Sequence, residues 1–411
     1  MLFNEHNNNN STITMQYRRV PKNGDQLSAL GFGAMRLPLQ KGRIDEKRAR
    51  KQVRLAIDHG VNYIDTAYLY HEGKSEEFLG RALQDGYRQK IKLATKLPPS
   101  EVEKREDMDT ILGIQLRKLQ TDCIDYYLLH GLEATSWKKL RDLGVLEFLD
   151  QVKTAKKIKN AGFSFHGDCQ TFKEIIDAYD WVFCQIQYNF LDEDNQAGTE
   201  GLHYAASKNI AVMVMEPLRG GMLASSLPDK VKKIYERADK HRSAAEWGLL
   251  WVWNHPEVTV VLSGMNHENQ VIENITTCEH ALPGSMTPIE REVIGEVAEC
   301  YKRLIKVRCN GCAYCMPCPH GVNIPQCFSF YNQYFTTDRK LKTRVQYGLN
   351  LMGVFSEPAD ASLCKNCGKC LKICPQQIAI PGELKKVSKQ LGGLPTKIPL
   401  LGVKLLRSLW N

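Results

Sequence analysis

The sequence predicts an α/β chain: a closed (β/α)8 barrel followed by a smaller, mainly helical, cysteine-rich domain. Three observations carry this. Eight short, apolar, β-rich runs alternate with amphipathic stretches between residues 29 and 265; nine of the fourteen cysteines crowd between Cys309 and Cys374; and the chain has 411 residues. That length exceeds the roughly 250–300 residues at which a single hydrophobic core stops growing.

The eight runs are 29–35, 63–67, 91–97, 123–130, 162–166, 182–188, 210–215 and 258–263. Short buried strands separated by helical periodicity are the pattern of repeated βα units around a parallel sheet. Eight of them suit a barrel, whereas a doubly wound sheet usually has fewer. The helix predicted over 45–59 puts Val53, Ala56 and Ile57 on one face, and Gly60 stands where a C-cap belongs. Ser75, followed by Glu76 and Glu77, reads as the next helix start. The barrel is assigned to 17–285.

Prolines at 283 and 288 punctuate the chain before a long charged helix, expected from 289 to 307 within a connector, 286–308. The cysteine-rich domain follows over 309–385. Beyond it, 386–411 alternates Lys and Arg with Leu and Ile, an amphipathic basic tail expected to pack against its own protein. The first sixteen residues carry a polar Asn run without the basic and apolar regions of a secretory signal, and are expected to form a disordered tail.

Composition excludes several classes. Lys and Arg number 55 against 46 Asp and Glu, a formal charge of +9, but the cations are scattered and lack the clustering that tracks a nucleic-acid backbone. No apolar run approaches the roughly 20 residues of a membrane-spanning helix. Cysteines at short, metal-ligand spacings, rather than distributed as a disulfide framework, favour a reducing, cytoplasmic setting.

Barrel chemistry sits where strands end and βα loops begin. Asp65 ends the second run, Lys96 the third and His130 the fourth, and Tyr70 follows Asp65 on the loop above. A phenol titrates near 10, and a neighbouring ammonium that favours phenolate makes it a usable acid at physiological pH. Lys96 supplies that field, Asp65 holds Lys96, and His130 orients a substrate carbonyl. Each residue alone is more often a cap, a snorkelling side chain or a satisfied core group. Four at successive strand ends point to proton transfer.

The stretch Tyr63-Ile64-Asp65-Thr66-Ala67-Tyr68-Leu69-Tyr70, with Glu76, Leu79 and Gly80 after it, closely resembles the aldo-keto reductases. The resemblance spans about residues 17–285 and implies a TIM barrel that reduces a small-molecule carbonyl with NADP or NAD, Tyr70 being the general acid of an Asp65, Tyr70, Lys96 and His130 tetrad. It further implies cofactor contacts from Gly33, Ala34, Met35 and Asp65, from Ser164 and Gln185 to the carboxamide, from Met215, Pro217 and Leu218, and from Gly264, Gln270 and Asn274 on the adenine side. Two departures stand out: Met215 occupies a place where the family often stacks an aromatic ring, and 264–270 contains no Lys or Arg to grip a 2′-phosphate.

Cys309, Cys312, Cys315 and Cys318 form C-x2-C-x2-C-x2-C-Pro, and Cys364, Cys367, Cys370 and Cys374 form C-x2-C-x2-C-x3-C-Pro. The second is the bacterial ferredoxin run, whose last cysteine ligates the other cluster of a two-cluster protein. This predicts two [4Fe-4S] clusters, Cys309, Cys312 and Cys315 with Cys374, and Cys364, Cys367 and Cys370 with Cys318. The first motif is one residue short before its last cysteine, which leaves two alternatives, Cys327 in place of Cys318 or a second cluster reduced to a weak site. Zinc, the other occupant of C-x2-C pairs, is disfavoured by two triple runs each ending in Cys-Pro. Cys123, Cys169, Cys184, Cys278 and Cys300 read as ordinary buried thiols.

Hydride carries two electrons and a cluster ordinarily one. Coupling the halves therefore calls for a redox partner protein or a flavin, which no motif indicates. Clusters that only stabilise the chain or sense oxidants, and an electron-carrier subunit whose barrel binds nicotinamide without turnover, are the other readings the sequence allows.

Overall fold

The computed structural model describes residues 14–225, 227–336, 339–353, 357–393 and 396. All eight runs are strands: β1 Leu30–Gly33, β2 Tyr63–Asp65, β3 Lys92–Leu97, β4 Ile124–Leu132, β5 Ile158–Phe165, β6 Phe183–Gln187, β7 Ala211–Met215 and β8 Val258–Ser263. They form one closed parallel barrel in chain order, and β8 returns to β1 with Val261 opposite Leu30 and Ser263 opposite Phe32. Closure leaves no exposed strand edge.

Strand limits moved where polar pairing was hidden in the sequence. β5 begins at Ile158, four residues before the expected start at 162, because its polar residues are satisfied by β4: Lys159 Nζ meets Asp125 Oδ1 at 2.8 Å and Asn160 Nδ2 donates to the Asp125 carbonyl at 2.9 Å. β1 stops at Gly33, where Ala34–Arg36 turns into a 3-10 helix. Inside the barrel, the rings of Tyr63, Tyr126 and Phe183 meet edge to face at 5.4 and 4.9 Å. Such pairs add about 0.5–1.5 kcal/mol to their area burial.

A hairpin, Tyr17–Arg19 with Gln26–Ser28, was not expected. Its three-residue strands, Tyr-Arg-Arg and Gln-Leu-Ser, are too short to give an alternating apolar signal, yet Val20 and Leu27 pack into the barrel's interior cluster. Of the N-terminal tail, residues 1–13 lie outside the described residues. In its last three residues Met15 is buried, and Thr14 N and Gln16 Nε2 donate to Glu279 at 2.8 and 3.1 Å.

The helix after β1 runs Glu46–Asp58, capped by the Asp45 carboxylate, and Gly60 takes the expected positive φ of 95°. The next helix, Ser75–Ala82, starts at Ser75 as expected, and the Ser75 hydroxyl donates to the Ala34 carbonyl at 3.2 Å and accepts from Thr66 at 2.9 Å. Gly80 in that helix lies against the Lys118 carbonyl, a close approach that leaves no room for a Cβ.

By contacts the described residues form two compact units, one within 1–188, 194–217 and 249–286, the other within 189–193, 218–248 and 287–411. In the second unit the connector helix Pro288–Leu304 is capped by a Thr287 and Glu290 box, and helix Asp229–Glu236 packs on it. Helices Ile324–Thr336, Lys340–Leu351 and Ile380–Leu391 bury Phe328, Tyr347, Ile380, Leu384 and Val387 in a core of their own. The basic tail begins inside the last of these helices; residues 394, 395 and 397–411 lie outside the described residues. No described helix is long and apolar enough to cross a membrane.

Candidate active site and cysteine sets

Asp65, Lys96 and His130 converge with Tyr70 on the loop above β2. Lys96 Nζ lies 2.8 and 2.7 Å from the two Asp65 carboxylate oxygens, 2.7 Å from the Thr66 carbonyl and 3.3 Å from Tyr70 Oη. The ammonium also sits 4.8 Å from the Tyr70 ring centre, and the Tyr70 and His130 rings meet edge to face at 5.9 Å. Lys96 is fully buried, and Asp65, Tyr70 and His130 are each at most 8% exposed. Burial pulls the Lys96 ammonium below its ordinary pKa against the opposing attraction of Asp65, and raises the Asp65 carboxyl against Lys96. A buried charge of this kind persists only when paired and hydrogen-bonded; Lys96 has both.

A second layer fixes the lysine. Gln115 Nε2 donates to the Lys96 carbonyl at 2.9 Å and to Glu76 Oε1 at 2.8 Å, while Thr95 donates to the same Glu76 oxygen at 2.6 Å and Tyr127 donates to Gln115 Oε1 at 2.8 Å. Burial raises the Glu76 carboxyl above its usual range. Glu76 stood in the family-like motif without a stated role; here it braces the strand that carries Lys96.

His166, not singled out from the sequence, follows β5 and is a second imidazole near His130. Burial, then the Lys96 charge, then His166 itself hold His130 well below the ordinary imidazole pKa; burial takes His166 to about 4, opposed by its hydrogen bond with Gln196. Both rings are neutral at physiological pH. For His166 the unfolded chain takes up the proton near 6.5 and the folded chain only near 4, so stability falls as pH drops through that window, by about 1.4 kcal/mol per pH unit, and the depressed His130 acts in the same direction. Thermal denaturation at stepped pH between 7 and 4 should show the fall, and His166→Gln should flatten it; an unchanged slope would refute the assignment.

Of the residues that the resemblance assigns to the cofactor, Ser164 and Gln185 are buried on β5 and β6, whose register sets them opposite each other. Ser164 Oγ accepts from Gly131 N at 2.7 Å. Gln185 Nε2 donates to the Met215 sulfur at 3.5 Å, and its Oε1 is buried without a hydrogen-bond partner among the described residues. Gly33 lies beside the Ser263 carbonyl, Ala34 and Pro217 are buried, and Met35 and Met215 are half-buried. Asn274 Nδ2 donates to Ser263 Oγ at 2.9 Å, and Gln270 Oε1 caps its helix by accepting from Asn266 N and His267 N. Leu218 belongs to the second compact unit.

The segment 264–270 lacks cations of its own, but distant residues bring two. Arg36 lies over Gly264, and Arg48 makes a paired contact with Glu268 at 3.1 and 2.8 Å that holds this carboxyl down at about 2. Sequence spacing gives no signal for either.

The cysteines assemble across motifs. Cys309, Cys312, Cys315 and Cys374 line one pocket with Phe328, Ile378 and Ile380. Burial, then the neighbouring Cys312, Cys309 and Cys374, push the Cys315 thiol up to about 12; Cys370 is raised by burial and by Cys364, Cys367 and Cys318. Gly311 N donates to Cys309 Sγ at 3.4 Å. Cys327 is instead buried in the helical core, its Sγ 3.8 Å from the Ala359 carbonyl. Among the described residues no three His, Cys, Asp or Glu side chains converge on a single-ion site; the first set stands apart around its pocket. Of the five cysteines expected to be buried, Cys184 and Cys278 are, whereas Cys123, Cys169 and Cys300 are partly exposed.

Comparison with known proteins agrees with this architecture. Residues 29–293 match the Aldo/keto reductase family model, and residues 308–379 match the 4Fe-4S dicluster domain model. An oxidoreductase of Bacillus subtilis, YrpG, is 25% identical over 333 residues, 70% of this chain and 99% of its own. An aldo-keto reductase of Bacillus halodurans superposes with a TM-score of 0.59 at 29% identity, covering 69% of this chain and 96% of that one. An aldo-keto reductase of Klebsiella pneumoniae solved with NADPH shares the fold, with a TM-score of 0.57 at 22% identity over 69% and 95% of the chains. A closed eight-stranded barrel, a buried Asp65, Lys96 and Tyr70 cluster at its strand ends and a family match over most of the chain lead to one assignment: this protein belongs to the aldo/keto reductase family, with a 4Fe-4S domain at its C-terminal side.

Proposed function

We propose that the barrel reduces a small-molecule carbonyl using NADPH, or NADH, with Tyr70 as general acid, and that the cysteine domain carries two [4Fe-4S] clusters. The observation that carries the first part is Lys96 Nζ at 3.3 Å from Tyr70 Oη while bound by both oxygens of Asp65. Nicotinamide, when bound, supplies the hydride for the carbonyl carbon. Tyr70 gives its proton to the carbonyl oxygen, and the adjacent ammonium stabilises the phenolate left behind. Neutral His130 hydrogen-bonds that oxygen and holds the carbonyl in line. The unsatisfied, buried Gln185 Oε1 suits the amide N–H of a carboxamide, beside Ser164.

For the adenine side, Arg48 is already engaged by Glu268. A 2′-phosphate would have to displace that carboxylate, whereas a cofactor without it would not. For the clusters, the pocket ringed by Cys309, Cys312, Cys315 and Cys374 suits a cubane, and Cys318, Cys364, Cys367 and Cys370 make the second ligand set. These cysteines would hold the iron as thiolates, since a coordinating thiol gives up its proton.

Anaerobic purification followed by iron and sulfide analysis should give about eight of each per chain. Titration with NADPH and NADH should then show nicotinamide oxidation that depends on an added aldehyde. Tight cofactor binding with no turnover across an aldehyde and ketone panel would sink the reductase reading and favour an electron-carrier subunit.

A further inference from the structure

We infer that residues 364–374 form a docking face for an acidic one-electron carrier protein, with the carrier's negative rim on Lys365, Lys369 and Lys372 and its redox group brought to Cys367. The inference rests on the proposed [4Fe-4S] ligand set of Cys318, Cys364, Cys367 and Cys370.

Cys367 is the one exposed cysteine among the described residues. Within a few residues of it, Lys365, Lys369 and Lys372 are exposed, and none has an ion-pair partner among the described residues. The local charge is one-sided. No acidic residue occurs between Asp360 and Glu383, and those two are spent elsewhere, Asp360 buried and capping Ser362 and Glu383 paired with Lys386 at 2.7 Å. Among the same lysines, Leu371 is 46% and Ile373 50% exposed. An apolar centre with a charged rim is the anatomy of a protein-binding patch, and carrier complexes belong to the small, transient class in which charge sets the encounter rate.

By contrast, Cys315 is partly buried and lies in a pocket with Phe328 and Ile380. The exposed ligand set is therefore the entry point. The step balances simply: the reduced carrier gives one electron, is itself oxidised by one, and takes the cluster from its 2+ to its 1+ state, with no bond or proton transferred.

The test uses the full chain, purified anaerobically, with reduced flavodoxin as the acidic probe and cytochrome c as a basic control. At low ionic strength, K365E/K369E/K372E should weaken flavodoxin binding and slow cluster reduction about tenfold or more, with iron content and visible spectrum as in the parent. The Lys→Gln triple variant should lie between, Leu371→Ser should weaken binding several-fold, and about 0.5 M salt should erase the difference between parent and variants. Unchanged flavodoxin affinity in all variants overturns the docking face, as does an equal loss of cytochrome c binding, or a shift in cluster potential with no change in affinity. Capture by anionic lipid vesicles that depends on the same lysines, without flavodoxin binding, also overturns it. Absence of iron and sulfide from the parent overturns instead the electron-transfer reading beneath it.

Discussion

Tyr70→Phe is expected to lower kcat/KM for aldehyde reduction by roughly a hundred- to ten-thousand-fold, the usual range for removal of a general acid, while leaving iron content and the cluster spectrum unchanged. The substitution removes one hydroxyl and keeps the ring that meets His130 edge to face at 5.9 Å. The cofactor should still bind, because no nicotinamide contact is assigned to the phenol; tight NADPH binding with lost turnover is the signature to look for by fluorescence titration and steady-state kinetics. Lys96 is a poorer choice. Truncating it leaves Asp65 charged and buried without its partner, at a cost of about 3–5 kcal/mol, and a folding defect would pass for a catalytic one. Full activity in Tyr70→Phe would remove the phenol from the chemistry.

Cys374→Ala is expected to halve the iron, from about eight to about four per chain, and to remove the same cluster that Cys312→Ala removes. Cys374 belongs by sequence to the second motif, yet it shares a pocket with Cys309, Cys312 and Cys315. Electron paramagnetic resonance of the reduced single variants should therefore show one identical residual cluster, and the double variant should lose nothing further. Cys367→Ala should leave the complementary signal. The first ligand set lies against Phe328, Ile378 and Ile380, so loss of its cluster should also lower the melting temperature of the second unit, metal binding being coupled to folding in small metal domains. Different residual spectra for Cys312→Ala and Cys374→Ala would refute the cross-motif pairing.

The parts of the fold legible in sequence were those with strong, local, periodic signals. Eight apolar runs became eight strands, and Gly60 ended its helix as placed. The hairpin at 17–28 escaped because its three-residue strands are too short for a periodic signal, and Val20 and Leu27 join the barrel's interior cluster only in three dimensions. Ser75 began its helix as placed, but the bond of its hydroxyl to the Ala34 carbonyl, 41 residues away, had no signal in sequence. His166 escaped for a related reason: a lone histidine after a strand looks like any other until its neighbour is known to be His130.

Residue types at strand ends and cysteine spacings, taken alone, were enough to establish a barrel of βα units, a candidate acid–base quartet and a cluster-binding domain, since periodicity and ligand spacing are properties of the chain itself. Three matters were decided only in three dimensions. These are the 3.3 Å approach of Lys96 to Tyr70 under the grip of Asp65, the arrival of Arg36 and Arg48 at a cation-free segment, and the separation of Cys327 in the core from Cys318 beside the second cysteine set. Each depends on residues far apart along the chain, and distance through space is set by closure of the barrel and packing of the helices, which no local window of sequence contains.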